Sequence, residues 1–314
     1  MTTCVYAENQ QHSEAEKLAI IGHKLLKEEH YLQAIHAYRQ CLEIEPHAAI
    51  YLARAQASSK LNDFDAAVAD CGQALELDAR CVGAYLLRAR MCRSLKDYNR
   101  AISDLTKAID IDDSNAAVYV FRAALWQDLE QYELVIADFN GAIKREPNRI
   151  DFLIARAVAW HSLEKWNKLY EDAEKIIALE PGNVLGYLFR AEASSGLGDY
   201  AAAHKDYLKA LSLDESDLAL RRRYSTFLAG CPDQTLRDTD KALQLATQVC
   251  EQTKWQDGRA LSAIAYAYYA LGQFDDAIKW QVDAVKLASA KNKPEAEEWL
   301  RAYEARKPID SLPR

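Results

Sequence analysis

Glycine and proline are scarce in this chain, at 11 and 7 of its 314 residues. That scarcity, together with few segments alternating at period two, excludes a sheet rich in tight turns and leaves helices joined by short connections. No apolar run is long enough to cross a bilayer. The N-terminus, MTTCVYAENQQHSEAEK, lacks the basic start and continuous apolar stretch of a secretory signal, so a soluble cytoplasmic protein is expected. The seven cysteines are odd in number and contain no C-x-x-C pair, which argues against a disulfide framework and against a zinc site, and they read as reduced packing residues. Positive charge is short too, with 39 Lys and Arg against 47 Asp and Glu, a net charge of -8. Binding along a phosphate backbone needs a basic face to release counterions, so nucleic acid is not the expected partner.

What the sequence has in abundance is internal repetition. Tyr51, Tyr85, Tyr119, Leu153 and Tyr187 recur at a spacing of 34 residues, as do Ala55, Ala89, Ala123, Ala157 and Ala191. A second set follows in the same phase: Phe64, Tyr98, Tyr132, Trp166 and Tyr200, then Ala67, Ala101, Val135, Leu169 and Ala203, then Ala74, Ala108, Ala142, Ile176 and Ala210. Small side chains let two helices approach closely where they cross, and large ones fill the space beside the crossing. Each unit is therefore expected to be one helical hairpin. Its turn carries Leu61-Asn62-Asp63, Leu95-Lys96-Asp97 or Leu197-Gly198-Asp199, with the Asp placed to cap the second helix.

This pattern resembles the tetratricopeptide repeat (TPR), with its aromatic at position 4, small residue at 8, aromatic at 17 and alanines at 20 and 27. The C-terminal third, with CPD, RD, AYAYYALGQFDDAIKWQ and a closing KP, also resembles the end of a group of bacterial multi-TPR proteins. The resemblance implies an all-α, right-handed TPR superhelix (α-solenoid) of about eight helical hairpins plus a capping helix. Residues 1–14 are expected to be a flexible N-terminus, 15–217 six TPR units, 218–257 an irregular seventh hairpin, 258–291 the last unit, and 292–314 a capping helix and tail. The extra length of the seventh hairpin falls at Gly230-Cys231-Pro232-Asp233. The cap is expected to turn Trp299, Leu300 and Tyr303 inwards, because the last hairpin would otherwise expose an apolar face.

Two charged rows accompany the repeat. Position 7 of five consecutive units is Arg54, Arg88, Arg122, Arg156 and Arg190, and position 23 is Asp70, Asp104, Asp138, Asp172 and Asp206. The first and last regular units lack both members, having Ile21 with Ala37 and Ile264 with Trp280. Pairing each Asp with the next unit's Arg would strand Arg54, so structural salt bridges within each unit are expected.

Catalytic signatures are missing. The seven histidines form no H-E-x-x-H or comparable metal pair, and Gly196 and Gly198 lie in a helix turn, where no dinucleotide loop forms. Cys231, outside the helical packing pattern, has no neighbouring base to activate it. No enzyme, cofactor or metal is expected, and an active site in 218–257 is the least favoured reading.

In TPR proteins the first helix of each unit lines the concave groove, and its positions 2, 5, 9 and 12 face a guest polypeptide. Here those positions nominate Gln56, Leu86, Arg90, Arg93, Val120, Gln127, Ile154, His161, Leu188 and Glu192 as peptide-binding, with Arg90 and Arg93 reading a carboxylate above an aliphatic floor. Tyr266 and Tyr269 form a second patch of candidate aromatic anchors. The Lys/Asn/Arg carboxylate clamp of chaperone-binding TPR proteins is replaced by Ala19, His23, Ala53, Gly83 and Leu87, which disfavours a chaperone-tail adaptor. The expected function is a non-enzymatic scaffold or adaptor that binds a protein or peptide as a monomer or weak homo-oligomer. The alternative is an assembly component that self-associates through its ends or convex face.

Overall fold

The computed structural model describes residues 13–312; residues 1–12, which hold nearly all of the segment expected to be flexible, lie outside the described residues. Seventeen α-helices and no strand occur among the described residues. Fourteen of them pair as hairpins: Glu14–Lys27 (α1) with Tyr31–Ile44 (α2), Ala48–Lys60 (α3) with Phe64–Leu77 (α4), Val82–Ser94 (α5) with Tyr98–Ile111 (α6), and Ala116–Asp128 (α7) with Tyr132–Arg145 (α8). Ile150–Ser162 (α9) and Trp166–Leu179 (α10) follow, then Val184–Gly196 (α11) with Tyr200–Leu213 (α12), Leu218–Gly230 (α13) with Thr239–Gln252 (α14), and Gly258–Ala270 (α15) with Phe274–Leu287 (α16). Lys293–Glu304 (α17) and a 3-10 turn over Ile309–Ser311 close the chain.

The turns explain why the helices stop where they do. Asn62 and Lys96 take φ of 59° and 62°, the left-handed conformation that ends a helix, and Gly198 and Gly272 occupy the same place at 86° and 77°. The next residue reaches back, as when the Asp63 amide donates to Ser58 O at 3.0 Å. Its side chain then caps the following helix: Asp63, Asp97 and Asp199 accept from the amides of Ala66, Arg100 and Ala202 at 3.0–3.2 Å.

The recurring small residues lie at the crossings. Ala55, Ala89, Ala123, Ala157 and Ala191 are all fully buried, as are Ala67, Ala101 and Ala203 of the second helices. Gly22 shows how close the approach is, since a Cβ there would sit 2.5 Å from the Tyr38 ring.

The chain divides into two compact units, one ending at Phe152 and the other beginning at Leu153. In the first, α3 to α7 share a core around Leu105 and Leu125, both fully buried. Burying one such leucine contributes about 1.5–3 kcal/mol. In the second, Tyr207, Tyr224 and Phe227 form a ring cluster between α12 and α13, and α17 packs on α16. The face that α17 turns inwards carries Ala296, Ala302 and Tyr303, with Trp299 beside them, whereas Leu300 is only half-buried. Leu300 stands one residue, or about 100°, round the helix from Trp299, which puts it at the edge of that face.

The irregular connection falls at residues 231–238. There Arg237 Nε donates to Cys231 O at 2.8 Å, and Asp233 accepts from the Thr235 amide and hydroxyl.

Candidate functional site

The charged rows form a ladder inside the hairpins. Arg54, Arg88, Arg156 and Arg190 each donate from Nε and Nη2 to the two carboxylate oxygens of Asp70, Asp104, Asp172 and Asp206, at 2.6–2.9 Å. Arg122 grips Asp138 in the same way, at 2.6 Å from Nη2. The aspartates are buried and the arginines lie mostly inside. Hydrogen bonding to their carboxylates holds Arg54 and Arg88 above the ordinary guanidinium pKa, partly offset by burial. Tyr51, Tyr85 and Tyr187, three residues earlier on the same helices, add a ring face 5.5–5.8 Å from the guanidinium carbon. A further row escaped the sequence reading. Arg122 Nη1 also donates to Thr106 Oγ1 at 2.8 Å, and Arg190 Nη1 to Glu174 at 2.7 Å. Both acceptors stand sixteen residues before their arginine, on the preceding hairpin, so the ladder ties neighbouring hairpins together as well. Checking that offset in the sequence would have found them.

In the first compact unit, α5 and α7 enclose a cavity of about 640 Å3 lined by Leu86, Arg90, Arg93, Val118 and Phe121 among others. Three of the nominated residues thus share one cavity. Arg90 is exposed. Arg93 stands 3.6 Å from Asp128, with both side chains nearly half exposed, and its guanidinium lies 6.0 Å from the Phe121 ring centroid. An ion pair this open contributes little and is readily exchanged for another carboxylate. Asn115 caps α7 at the same cavity, so the positive end of that helix adds to the two arginines. Gln56 and Gln127 are exposed and Val120 half-buried, outside the cavity wall.

The nominated residues of the second unit are placed differently. Leu188 is 4% exposed and packs into the core around Tyr207 and Tyr224, so it offers no open floor. Glu192 accepts a salt bridge from Arg223 of α13, and its other oxygen faces His161 Nε2 at 3.4 Å. The chain's own arginine thus engages one oxygen, and the other is buried without a hydrogen-bond partner among the described residues. His161 sits edge-on to Trp166, and Ile154 is half-buried. Tyr269, expected as an exposed anchor, is 4% exposed: its ring stacks on Tyr303 with centroids 4.5 Å apart, and its hydroxyl donates to Lys307 O at 2.5 Å. The physical reason is α17, which covers that face with its aromatic side. Tyr266 is half-buried against Trp299.

Cys231 is buried, and burial pushes its thiol above the ordinary value, opposite to what a nucleophile needs. No group of three His, Cys, Asp or Glu suited to a metal ion occurs among the described residues. Among them, too, no helix is long and apolar enough to cross a membrane.

Known proteins agree with this architecture. Models of the family described as tetratricopeptide repeat match residues 52–116, 186–217 and 258–291. Sperm-associated antigen 1 of Rattus norvegicus is 42% identical over 64 residues, a match covering 20% of this chain and 7% of the antigen. A tetratricopeptide repeat protein from Parabacteroides merdae superposes with a TM-score of 0.58 at 14% identity, over 82% of this chain and 98% of its own. YrrB, described as a TPR protein with an unusual peptide-binding site, superposes with a TM-score of 0.52 at 17% identity, over 60% of this chain and 97% of its own. These two likenesses concern the fold. Repeat spacing, hairpin geometry and family matches converge, and the chain is a multi-TPR protein.

Proposed function

We propose that this chain is a non-enzymatic adaptor that captures an extended acidic segment of a partner protein at the cavity between α5 and α7. The TPR fold serves protein–protein interaction generally, and the finer assignment rests on one observation. Arg90 and Arg93, one exposed and one only loosely paired, share a cavity with the apolar side chains of Leu86, Val118 and Phe121. Guanidinium groups bind a carboxylate in bidentate fashion, and an apolar pocket beside them accepts a neighbouring aliphatic or aromatic side chain. A cytoplasmic address is supported by the free state of the six described cysteines, five of them buried.

The test is calorimetric titration of the chain with a panel of peptides that pair one acidic residue with one apolar residue. Reversing both charges, Arg90→Glu with Arg93→Glu, is expected to weaken the best binder by at least about a hundredfold, since two charge-assisted contacts of about 1.5–3 kcal/mol are lost. Thermal stability should stay within about 0.5 kcal/mol, because both side chains are surface groups. Unchanged affinity in the double variant would remove this site.

A second reading, self-association through the N-terminal hairpin, has its own support. Ile20, Ile21 and Leu32 of α1 and α2 are 54%, 48% and 73% exposed. Light scattering that finds a stable dimer, dissociated by Leu32→Lys, would favour it.

A further inference from the structure

We infer that a second cavity, enclosed by α13, α15, α16 and α17, is a binding site for a carboxylate carried on an apolar body. It has a volume of about 720 Å3, and its lining includes Arg222, Arg259, Ser262, Tyr266, Leu287 and Trp299. That volume lies within the range of small-ligand sites, and such sites combine apolar walls with a few placed polar groups. Here the apolar wall is Leu287 with the edge-on pair of Tyr266 and Trp299, whose centroids are 5.5 Å apart.

The polar group is Arg222, and its isolation is the central observation. α13 carries three successive arginines that leave the helix in three directions. Arg221 Nε donates to Glu215 O at 2.7 Å, and Arg223 is bonded to Glu192. The half-buried guanidinium of Arg222 has no hydrogen bond or ion pair to any described residue. Burial, and then the cations of Arg223 and Arg259, outweigh the more distant carboxylates of Asp257 and Glu192 and hold its pKa below the ordinary arginine value. A charge withdrawn from water without a partner is costly, and that cost is recovered when an anion enters beside it.

The charges around the cavity set the ligand's valence. Arg259 has Asp257 at 3.9 Å, and Glu295 lies exposed on the wall. Asp257 and Glu192 act on Arg222 from farther off, but no carboxylate of the described residues comes within salt-bridge distance of its guanidinium. With two arginines against two carboxylates the lining is formally neutral, so a monoanion placed beside Arg222 is favoured over a dianion such as a phosphate monoester, which meets twice the repulsion from Asp257 and Glu295. The first turn of α15, at Gly258 and Arg259, brings the positive end of a helix to the same cavity. This site belongs to the second compact unit and is independent of the adaptor reading at α5 and α7.

The test uses the full chain and matched acid and amide probes in calorimetry: N-acetyl-leucine against N-acetyl-leucinamide, and a leucine-terminated pentapeptide with a free against an amidated end. The acid is expected to bind at least about tenfold more tightly than its amide. Arg222→Gln should erase the difference, Arg222→Lys should keep part of it, and the melting temperature of Arg222→Gln without ligand should be equal or higher, because an unpartnered charge has been removed. Binding of the peptide acid alone would assign the carboxylate to the end of a polypeptide, and comparable binding of N-acetyl-leucine would assign it to a free small molecule. Equal binding of acid and amide, no binding of either acid, stronger binding of inorganic phosphate, or undiminished discrimination in Arg222→Gln would each overturn the proposal.

Discussion

Removing one carboxylate from the ladder tests whether these pairs hold the fold. Asp104 is suited to the purpose, because its side chain is 4% exposed and accepts from Arg88 at 2.7 and 2.8 Å, while the Arg88 side chain is 16% exposed. In Asp104→Ala the guanidinium keeps its place inside the hairpin and loses both acceptors. The Tyr85 ring lies 5.8 Å away, and a ring face replaces a carboxylate only in small part. Truncating one member of a buried pair costs about 3–5 kcal/mol, far above the 0–1 kcal/mol of an exposed pair. For a cooperative unit of about 150 residues that is a fall of roughly 10 °C in the transition of the first unit. Scanning calorimetry on Asp104→Ala, Arg88→Met and the double variant closes a thermodynamic cycle. The double variant should cost less than the sum of the singles, because neither charge is then left alone; the coupling is expected at about 2 kcal/mol. Single-variant losses below about 1 kcal/mol, with additive behaviour, would show that the pair acts as a surface contact and would refute the reasoning.

Three further outcomes follow from the same geometry. Tyr303→Ala should lower the stability of the second unit by about 3–5 kcal/mol and increase binding of a hydrophobic dye, because this fully buried ring joins α17 to Tyr269. Lys96→Gly should stabilise the first unit by up to about 1 kcal/mol in urea melts, since Lys96 holds a left-handed φ of 62° that glycine adopts without a side-chain clash. Hydrogen bonds from Ser114, Ser216 and Thr235 hold the carboxyls of Asp112, Asp214 and Asp233 below the ordinary range. The stability they add is present above the unfolded carboxylate value of about 3.9 and is lost as pH falls through the depressed folded values. Carboxyl NMR titration should therefore give low midpoints, with Asp112→Asn removing its own share of the acid sensitivity.

What was legible in the sequence was whatever every hairpin must solve in the same way. A close crossing needs a small side chain, so Ala55, Ala89, Ala123 and their counterparts are both periodic and fully buried. The ladder could be read because its two rows begin and end together. What escaped was set by elements that do not repeat. Leu188 and Glu192 occupy positions that would face a guest, and α13 reaches them first, with Tyr224 packing near one and Arg223 bonding the other. Tyr269 stands where an anchor would stand, and a helix with no counterpart elsewhere in the chain covers it. Position within a repeat tells which way a side chain leaves its helix, and the next element along decides whether solvent or protein lies there.

This distinction bears on where partners are to be sought. A charge that recurs in consecutive units has the same neighbour in each, because each of those hairpins repeats the same internal crossing; Arg54, Arg88, Arg122, Arg156 and Arg190 all meet an aspartate of their own hairpin. Their number gives no information about a ligand. Arg90, Arg93 and Arg222 are different, since each occurs outside that row, at a cavity, with at most one loose ion pair. Stacking gives no reason to place a guanidinium beside Phe121 or Trp299 in one hairpin and omit it from the others. In a repeat protein the ladder charges explain cohesion within the hairpins, and the charges that break the period mark the surfaces shaped for something else.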